Sequence, residues 1–326
     1  MDKVEKEGED MRIVSTMPIS EKYIKPVSEK YDFIEWIIKD NMEEARPWLS
    51  KAEIFLTLGF DTLAADIEKA EQLKWIHVLS AGVDQMPFDV IQNKQILLTN
   101  TRGIHKIPMS EYVIGVMLDH VKKTLFFHEM QKKKTWERRR DIGELYGKTL
   151  VVVGTGSIGK DIAHKGKVFG MHTIGVNTSG SEEEFFDQIY SRKDLNEALS
   201  QGDFVVIVVP LTQETQNMIG REQFKAMKEN AYFINIARGP VVKEKDLIHA
   251  LQSKDIGGAA LDVFTIEPLS SNSPLWTLEN VFITPHVSGV TASYTQRAFE
   301  LFVKNLEVYI EKKGRYINIV DLERQY

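Results

Sequence analysis

Three side chains of this sequence, Arg238, Glu267 and His286, each follow a short apolar run typical of a β-strand. The planar fork of an arginine binds a carboxylate and a carbonyl oxygen. A histidine exchanges a proton with a nascent alkoxide, and a nearby glutamate orients the ring and favours its protonated form. Because ligands lie at the carboxyl ends of strands in open α/β sheets, this set suits hydride transfer to a 2-oxo acid.

Each of these residues also has an ordinary structural explanation. An arginine after a strand commonly forms a surface ion pair, and a glutamate before a proline often ends a loop. One histidine among the eight of this chain is more often a structural donor than a catalyst. Catalysis is favoured by the order of the three residues and by a glycine-rich loop that precedes them.

The glycine-rich loop, residues 154–159, follows the β-branched run Thr149–Val153 and opens a helical segment. In that context the pattern Gly-x-Gly-x-x-Gly predicts a dinucleotide site, although a glycine-rich turn without a ligand is the alternative. Gly154 permits the tight turn, Gly156 lets the backbone approach a pyrophosphate, and Gly159 lets the helix pack closely. The free amides of the helix start favour phosphate. The predicted cofactor contacts here are Gly154, Thr155, Gly156, Ser157 and Ile158.

Asn177 ends the next strand, where dinucleotide sites commonly carry an Asp or Glu that binds the ribose 2′-hydroxyl. A carboxylate there would repel a 2′-phosphate by about 4 kcal/mol at 4 Å and an effective dielectric near 20. Asn177, Thr178 and Ser179 can instead donate hydrogen bonds to that phosphate. No Lys or Arg follows immediately, and residues 182–184 are all glutamate. The sequence predicts NADP(H) or NAD(H), with a small preference for NADP(H).

The elements that carry these motifs alternate between strand and helix in two similar series, which predicts parallel sheets with helices on both faces. A long helix from Pro108 to about Gln131, capped by Ser110, separates the two series. The other predicted helices are Tyr31–Asp40, Thr62–Gln72, Ser157–Phe169 and Ala292–Lys312. The predicted strands are Arg12–Met17, Glu53–Leu58, Trp75–Leu79, Ile96–Thr99, Thr149–Val153, Thr173–Val176, Asp203–Val209, Tyr232–Ile236, Ala259–Phe264 and Val281–Thr284.

Length and composition set limits on the class of protein. A chain of 326 residues, 43% hydrophobic and 27% charged, predicts two globular domains. The net charge of −6 disfavours nucleic acid and membrane partners, so we expect residues 132–134 and 138–140, which are basic, to form a solvated or dimer-facing surface. The absence of cysteine excludes disulfides and thiolate chemistry. With a charged start and no apolar run of about 18 residues, we expect a cytoplasmic protein without a metal.

Taken together, these motifs resemble the D-isomer-specific 2-hydroxyacid dehydrogenases over nearly the whole chain. The resemblance lies in Arg238-Gly239, in Asp262-Val263-Phe264 with Glu267-Pro268, and in Thr284-Pro285-His286. It implies that Arg238 binds the substrate carboxylate and carbonyl, that His286 is the acid/base, and that Glu267 tunes His286. Val209–Thr212 with Thr215 resembles the family's cofactor-lining loop, and Leu79–Asp84 its substrate loop. The substrate contacts implied are Ser80, Ala81, Gly82, Val83 and Arg238; the further cofactor contacts are Pro210, Thr215, Ile236, Ala237, Asp262 and Gly289.

The resemblance also implies an architecture. A Rossmann dinucleotide-binding domain, residues 102–288, is inserted into a flavodoxin-like substrate domain formed by residues 1–101 and 289–326. Asn100, Arg102 and Gly103 resemble the segment that crosses between them. Members are usually homodimers, so a second copy and a small 2-oxo or 2-hydroxy acid are the expected partners.

Two alternatives remain on the same fold. A non-catalytic dinucleotide sensor or corepressor-like protein would not need Arg238, Glu267 and His286 together. A formate dehydrogenase would carry Gln where this chain has Glu267. The substrate side chain stays open, because glyoxylate, hydroxypyruvate, pyruvate and bulkier 2-oxo acids all fit these motifs.

Overall fold

The computed structural model describes residues 10–138 and 141–323, which fall into two compact units. The first unit joins the chain up to Ile104 to the chain from Thr291 onwards, and the second runs from His105 to Val290. The predicted boundaries were 101/102 and 288/289. The charged start before Asp10 and the predicted basic surface at Arg139 and Arg140 lie outside the described residues.

Strands and helices alternate along both units. The strands are β1 (Met11–Ser15), β2 (Ile34–Ile38), β3 (Ile54–Thr57), β4 (Trp75–Val78), β5 (Leu97–Asn100), β6 (Thr149–Val153), β7 (His172–Asn177), β8 (Gln188–Ser191), β9 (Phe204–Ile207), β10 (Tyr232–Asn235), β11 (Gly258–Leu261) and β12 (Val281–Ile283). The helices are α1 (Glu21–Lys30), α2 (Met42–Ala45), α3 (Ala64–Lys69), α4 (Phe88–Asn93), α5 (Lys106–Lys122), α6 (Thr124–Lys132), α7 (Ser157–Val168), α8 (Leu195–Leu199), α9 (Arg221–Ala226), α10 (Glu244–Gln252) and α11 (Tyr294–Glu311). None of these helices is both long and apolar enough to cross a bilayer.

The first unit is built on a parallel sheet in the order β2-β1-β3-β4-β5. Its strands are buried on both faces, since Phe55 of β3 joins one apolar core while Ile54 and Leu56 join the other. The indole of Trp75 stacks on Phe302 and Tyr309 of α11, at ring-centroid distances of 5.2 and 5.5 Å. This aromatic packing fixes the C-terminal helix to the first unit.

The second unit is built on a seven-stranded parallel sheet in the order β12-β11-β10-β9-β6-β7-β8. Alternate residues of β6 face opposite cores, with Val151 and Val153 on one side and Leu150 and Val152 on the other. The strand order reverses between β6 and β9, which is where ligands bind in doubly wound sheets. Two doubly wound α/β units confirm the predicted fold class.

The predicted helix Tyr31–Asp40 is wrong. Residues 34–38 form β2, which pairs with β1 along five residues from Met11↔Ile34 to Ser15↔Ile38. Three isoleucines and a tryptophan among these five residues favour a buried strand over a helix. The helix of this region comes earlier, as α1, and neither α1 nor β8 is among the predicted elements.

The predicted single helix from Pro108 is also wrong. Helix α5 begins at Lys106, and α6 starts after Lys123, whose φ of 56° breaks the helix. Ser110 is therefore an interior residue and not a cap. Its hydroxyl lies 2.6 Å from the Lys106 carbonyl oxygen and 2.6 Å from Oδ2 of Asp161 on α7, so it serves helix packing.

Candidate active site

Three neighbouring strands of the second unit deliver Arg238, Glu267 and His286. These residues follow β10, β11 and β12, which lie side by side in the parallel sheet, so their carboxyl ends share one edge. Oε2 of Glu267 lies 2.8 Å from Nδ1 of His286, and Oε1 accepts a hydrogen bond of 2.9 Å from the amide of Phe264. The backbone of its own loop thus fixes the carboxylate that contacts the histidine.

This contact determines which nitrogen of His286 is left for chemistry. An ionised carboxylate only accepts hydrogen bonds, so Nδ1 of His286 donates to Glu267. The other ring nitrogen, Nε2, is the one that can give or take a proton. The His286 side chain is 45% exposed, which leaves the ring accessible to a small molecule.

The turn that carries Arg238 is locked to the loop that carries Glu267. A Cβ placed on Gly239 would lie 1.9 Å from the carbonyl carbon of Phe264 and 2.3 Å from the amide nitrogen of Thr265. Only glycine allows this backbone-to-backbone contact. One guanidinium nitrogen of Arg238 donates to the Ala237 carbonyl, at 2.8 Å.

His105 was not foreseen as part of this edge. Burial lowers its pKa to about 4, and the positive charge of Arg238 contributes to that shift. Its ring also packs against Gly289, where an added Cβ would lie 3.0 Å from Cδ2 of His105. His105 precedes α5 in a segment without a catalytic motif, so its interaction with Arg238 could not be predicted from the sequence.

The glycine loop between β6 and α7 fits a dinucleotide phosphate. A Cβ on Gly154, whose φ is +110°, would lie 2.7 Å from the Val208 carbonyl oxygen, and one on Gly159 would lie 1.9 Å from the Gly154 oxygen. The fold itself therefore requires these two glycines. A Cβ on Gly156 would meet no atom within 4 Å, so this glycine leaves the first turn of α7 open to a close ligand.

The side chain of Asn177 is fully engaged in its own turn. Oδ1 accepts hydrogen bonds from the amides of Ser179 and Gly180, at 3.2 and 2.6 Å. Nδ2 lies 2.9 Å from the Ser181 carbonyl oxygen and 3.3 Å from the Thr155 hydroxyl. The other two predicted phosphate donors, Thr178 and Ser179, are exposed, and the Ser179 hydroxyl also bonds the turn, since it donates to the Ser181 hydroxyl at 3.0 Å.

The remaining predicted cofactor residues lie on the same edge of the second unit. Thr215 closes the loop after β9, because its hydroxyl donates to the Pro210 carbonyl at 2.6 Å. Ile236 and Ala237 are buried between β10 and Arg238. Asp262 is fully buried, and its carboxylate accepts hydrogen bonds from the segment around His286.

In the first unit, the predicted substrate loop has four consecutive carbonyls held by donors. The donors come from α11, from the end of β5 and the residue after it, and from the loop itself. The bonds join Tyr294 OH to the Leu79 oxygen at 2.7 Å, the Thr101 amide to the Ser80 oxygen at 3.1 Å, Asn100 Nδ2 to the Ala81 oxygen at 2.9 Å, and Ser80 Oγ to the Gly82 oxygen at 2.8 Å.

The amides at residues 81–83 of this loop differ from its carbonyls in their hydrogen bonding. Within the described part of the chain, the amides of Ala81, Gly82 and Val83 donate no hydrogen bond. Successive unengaged amides suit a small anion such as a carboxylate. The Ser80 hydroxyl, by contrast, is directed at the carbonyls of Gly82 and Leu58.

Known proteins resemble this chain along most of its length. Residues 114–288 match the family profile described as D-isomer specific 2-hydroxyacid dehydrogenase, NAD binding domain. The D-3-phosphoglycerate dehydrogenase of Methanocaldococcus jannaschii is 36% identical over 88% of this chain and 55% of its own length. Glyoxylate/hydroxypyruvate reductase B of Cronobacter sakazakii is 38% identical over 70% and 72%. The crystal structure of a D-isomer specific 2-hydroxyacid dehydrogenase family protein from Aeromonas salmonicida is 34% identical, with a TM-score of 0.84 over 96% of this chain and 99% of that one.

Proposed function

The chain belongs to the D-isomer specific 2-hydroxyacid dehydrogenase family, and on that premise we propose that it interconverts a small 2-oxo acid and its D-2-hydroxy acid by hydride transfer with a nicotinamide dinucleotide. The resemblance drawn from the motifs is confirmed. The observation that carries the proposal is the 2.8 Å contact between Glu267 and Nδ1 of His286, on the sheet edge that also presents Arg238. A non-catalytic dinucleotide-binding protein would not need this pair.

In reduction, His286 gives the proton on Nε2 to the substrate oxygen as the carbonyl becomes an alcohol; in oxidation it takes that proton back. The hydrogen bond to Glu267 fixes the orientation of the imidazole ring, and with it the direction in which Nε2 points. Arg238 binds the substrate carboxylate and polarises the carbonyl. The nicotinamide cofactor, when bound, supplies or accepts the hydride. The amides at the start of α7, beside Gly156, would hold its pyrophosphate.

The substrate carboxylate has a second proposed binding group. The amides of Ala81, Gly82 and Val83 donate no hydrogen bond within the described chain, and the carbonyls around them are anchored. We propose that these amides of the first unit bind a substrate carboxylate.

We propose NADP(H) as the preferred cofactor. No carboxylate occupies position 177, so a 2′-phosphate would meet no charge repulsion there. Of the nearby glutamates, Glu183 is paired with Lys160 of α7 at 2.6 Å, which reduces the negative charge close to the ribose end.

We also propose a homodimer formed through α6 and the segment that joins it to β6. Four large apolar side chains in the described part of this region face solvent: Leu125 is 49% exposed, Trp136 91%, Ile142 44% and Tyr146 75%. Exposed apolar side chains of this size mark interaction surfaces, and a second copy is the occupant expected for the family. The cytoplasmic location expected from the sequence stays a prediction, which cell fractionation would test.

The experiment follows absorbance at 340 nm with NADPH and NADH separately, over a panel of 2-oxo acids, with chiral analysis of the product. We expect turnover to the D-hydroxy acid. The His286→Ala variant should lose about 10²–10⁴-fold in kcat and keep its cofactor affinity, whereas His172→Ala, an exposed histidine at the start of β7, should match the parent. Cofactor binding without turnover on any acid would favour the non-catalytic alternative, and near-normal turnover of His286→Ala would remove His286 from the mechanism.

A further inference from the structure

The backbone at His286 has an uncommon conformation. Its φ is 54°, in the left-handed region that a non-glycine residue adopts at an energetic cost. Such a conformation persists only when surrounding groups hold it. The groups that hold this turn therefore bear directly on where the imidazole points.

The buried carboxylate of Asp262 holds the turn through both of its oxygens. Oδ1 of Asp262 accepts a hydrogen bond of 2.8 Å from the Val287 amide, and Oδ2 accepts one of 2.9 Å from the Ser288 amide. The carbonyl oxygen of Asp262 also accepts from the His286 amide, at 2.8 Å. Asp262 is fully buried, so these bonds do not compete with water.

Two hydroxyls continue this arrangement to helix α5. Thr284 Oγ1 lies 2.5 Å from Oδ1 of Asp262 and 2.7 Å from the hydroxyl of Tyr112. Since the carboxylate only accepts, Thr284 donates its proton to Asp262 and must accept the proton of Tyr112. Burial and the charge of Asp262 raise the pKa of Tyr112 to about 12, which keeps this donor protonated.

We infer that Tyr112 and Thr284 are positioning residues for His286. The chain Tyr112–Thr284–Asp262 fixes the carboxylate, the carboxylate fixes the turn, and the turn sets the direction of the imidazole. The inference rests on the proposed acid/base role of His286. Misplacing a catalytic group by about 1 Å can lower a rate by about 10²-fold, so loss of these hydroxyls should act on kcat.

The test compares Tyr112→Phe, Thr284→Val, Thr284→Ser and the double variant Tyr112→Phe/Thr284→Val. We expect kcat to fall about tenfold or more in Thr284→Val and by a smaller factor in Tyr112→Phe, with KM and cofactor Kd within about threefold. Thr284→Ser should restore most of kcat. Because the two hydroxyls act in series, the double variant should lose no more than Thr284→Val alone. Tyr190→Phe is the control, since its hydroxyl bonds Gln201 on another edge of the unit.

Two further readouts separate positioning from a merely structural role. With deuterated NADPH, the primary isotope effect on kcat should rise in Thr284→Val, because the chemical step becomes slower relative to the others. The imidazole NMR signal of His286, assigned with His286→Ala, should shift in Tyr112→Phe and Thr284→Val but not in Tyr190→Phe.

The NMR measurement also separates this inference from the proposed function. If the parent protein turned over no 2-oxo acid, the proposed reaction would fail while the shift of the His286 signal still tested the hydrogen-bonded chain. An unmoved His286 signal would overturn the inference, as would multiplicative losses in the double variant of an active enzyme.

Discussion

Asn177 supplies the hydrogen-bond acceptor that an aspartate would supply at this position, without the negative charge of an aspartate. Its amide oxygen accepts from two backbone amides of the following turn, as a carboxylate would, but it adds no negative charge. Nδ2 donates to the Ser181 carbonyl oxygen, so an aspartate would lose this bond as well as add a charge. The loss of that bond is common to both cofactors, so the difference between the NADPH and NADH affinities reports on the charge.

We predict that Asn177→Asp lowers affinity for NADPH by at least tenfold and changes affinity for NADH much less, because one added charge a few ångströms from a 2′-phosphate is worth on the order of 1.4 kcal/mol or more. Cofactor titrations followed by fluorescence measure both constants. Asn196→Asp is the control: its side chain also accepts one hydrogen bond, from Gln223, and it lies on α8. Equal losses for both cofactors would argue against a 2′-phosphate beside residue 177.

Acid sensitivity is expected from His77, which is fully buried in β4 between Trp75 and Phe302. Burial lowers the pKa of His77 to about 3 from its ordinary value of 6.5. Between these values the unfolded chain binds a proton that the folded chain does not, so stability falls as pH drops below 6.5. The loss is about 1.4 kcal/mol per pH unit. Urea titrations from pH 7 to pH 4 should show a shallower fall for His77→Asn than for the parent, and no such difference for His172→Asn.

At the scale of residues, the catalytic candidates could be predicted from the sequence, but the residues that hold them in position could not. Arg238, Glu267 and His286 stood out because each has a distinctive side chain at the end of an apolar run. Tyr112 and His105 gave no comparable signal. The partner of Tyr112 is 172 residues away, and only the folded sheet brings α5 beside the turn of Thr284.

At the scale of elements, the backbone contact between the turn after β10 and the loop after β11 keeps Arg238 and Glu267 in register. No rotamer change can relieve a Cβ at Gly239, since the neighbouring atoms are backbone atoms of Phe264 and Thr265. One of the two loops would have to move.

We predict that Gly239→Ala destabilises the protein by several kcal/mol, by overpacking and backbone displacement, and that the folded fraction loses activity. Gly115→Ala, the same substitution in the exposed middle of α5, should instead stabilise by about 0.5–1 kcal/mol, because nothing lies within 4 Å of its added Cβ. Thermal and urea unfolding measure both changes. The two substitutions should change the free energy of unfolding in opposite directions. An unchanged stability of Gly239→Ala would contradict the close backbone contact.

Element prediction succeeded where burial on both faces leaves a continuous β-branched run, as in β6 and β9. It failed at β2, where Glu35 interrupts the apolar residues and mimics a helical pattern. It also failed at Ser110, because a serine near an apolar stretch is an equally good cap or interior hydroxyl until its partner is known. That partner, Asp161, lies on a helix 51 residues later.

At the scale of the whole molecule, the exposed side chain of Trp136 gives the proposed homodimer a direct test. A tryptophan that is 91% exposed contributes little to the stability of one chain. Buried between two copies, it would be among the residues that contribute most to association.

We predict that Trp136→Glu shifts the protein from dimer to monomer, with an increase in Kd for self-association of at least tenfold. Light scattering coupled to gel filtration, over a range of concentrations, measures the mass. Trp276→Glu is the control, a tryptophan that is 52% exposed in the short 3-10 helix before β12. A parent protein that is monomeric at all concentrations would contradict the dimer, and a dimeric Trp136→Glu would exclude this segment as its interface.

The substrate loop of the first unit has a consequence for mutational scanning. Its proposed binding groups are main-chain amides at residues 81–83, and no substitution other than proline removes a backbone N–H. An alanine scan would therefore pass over these positions and find its largest effects at Asn100 and Tyr294, whose side chains hold the carbonyls of Ala81 and Leu79. The positions sensitive to alanine substitution would be those whose side chains hold the loop in place, and the residues whose amides bind the ligand would not be detected.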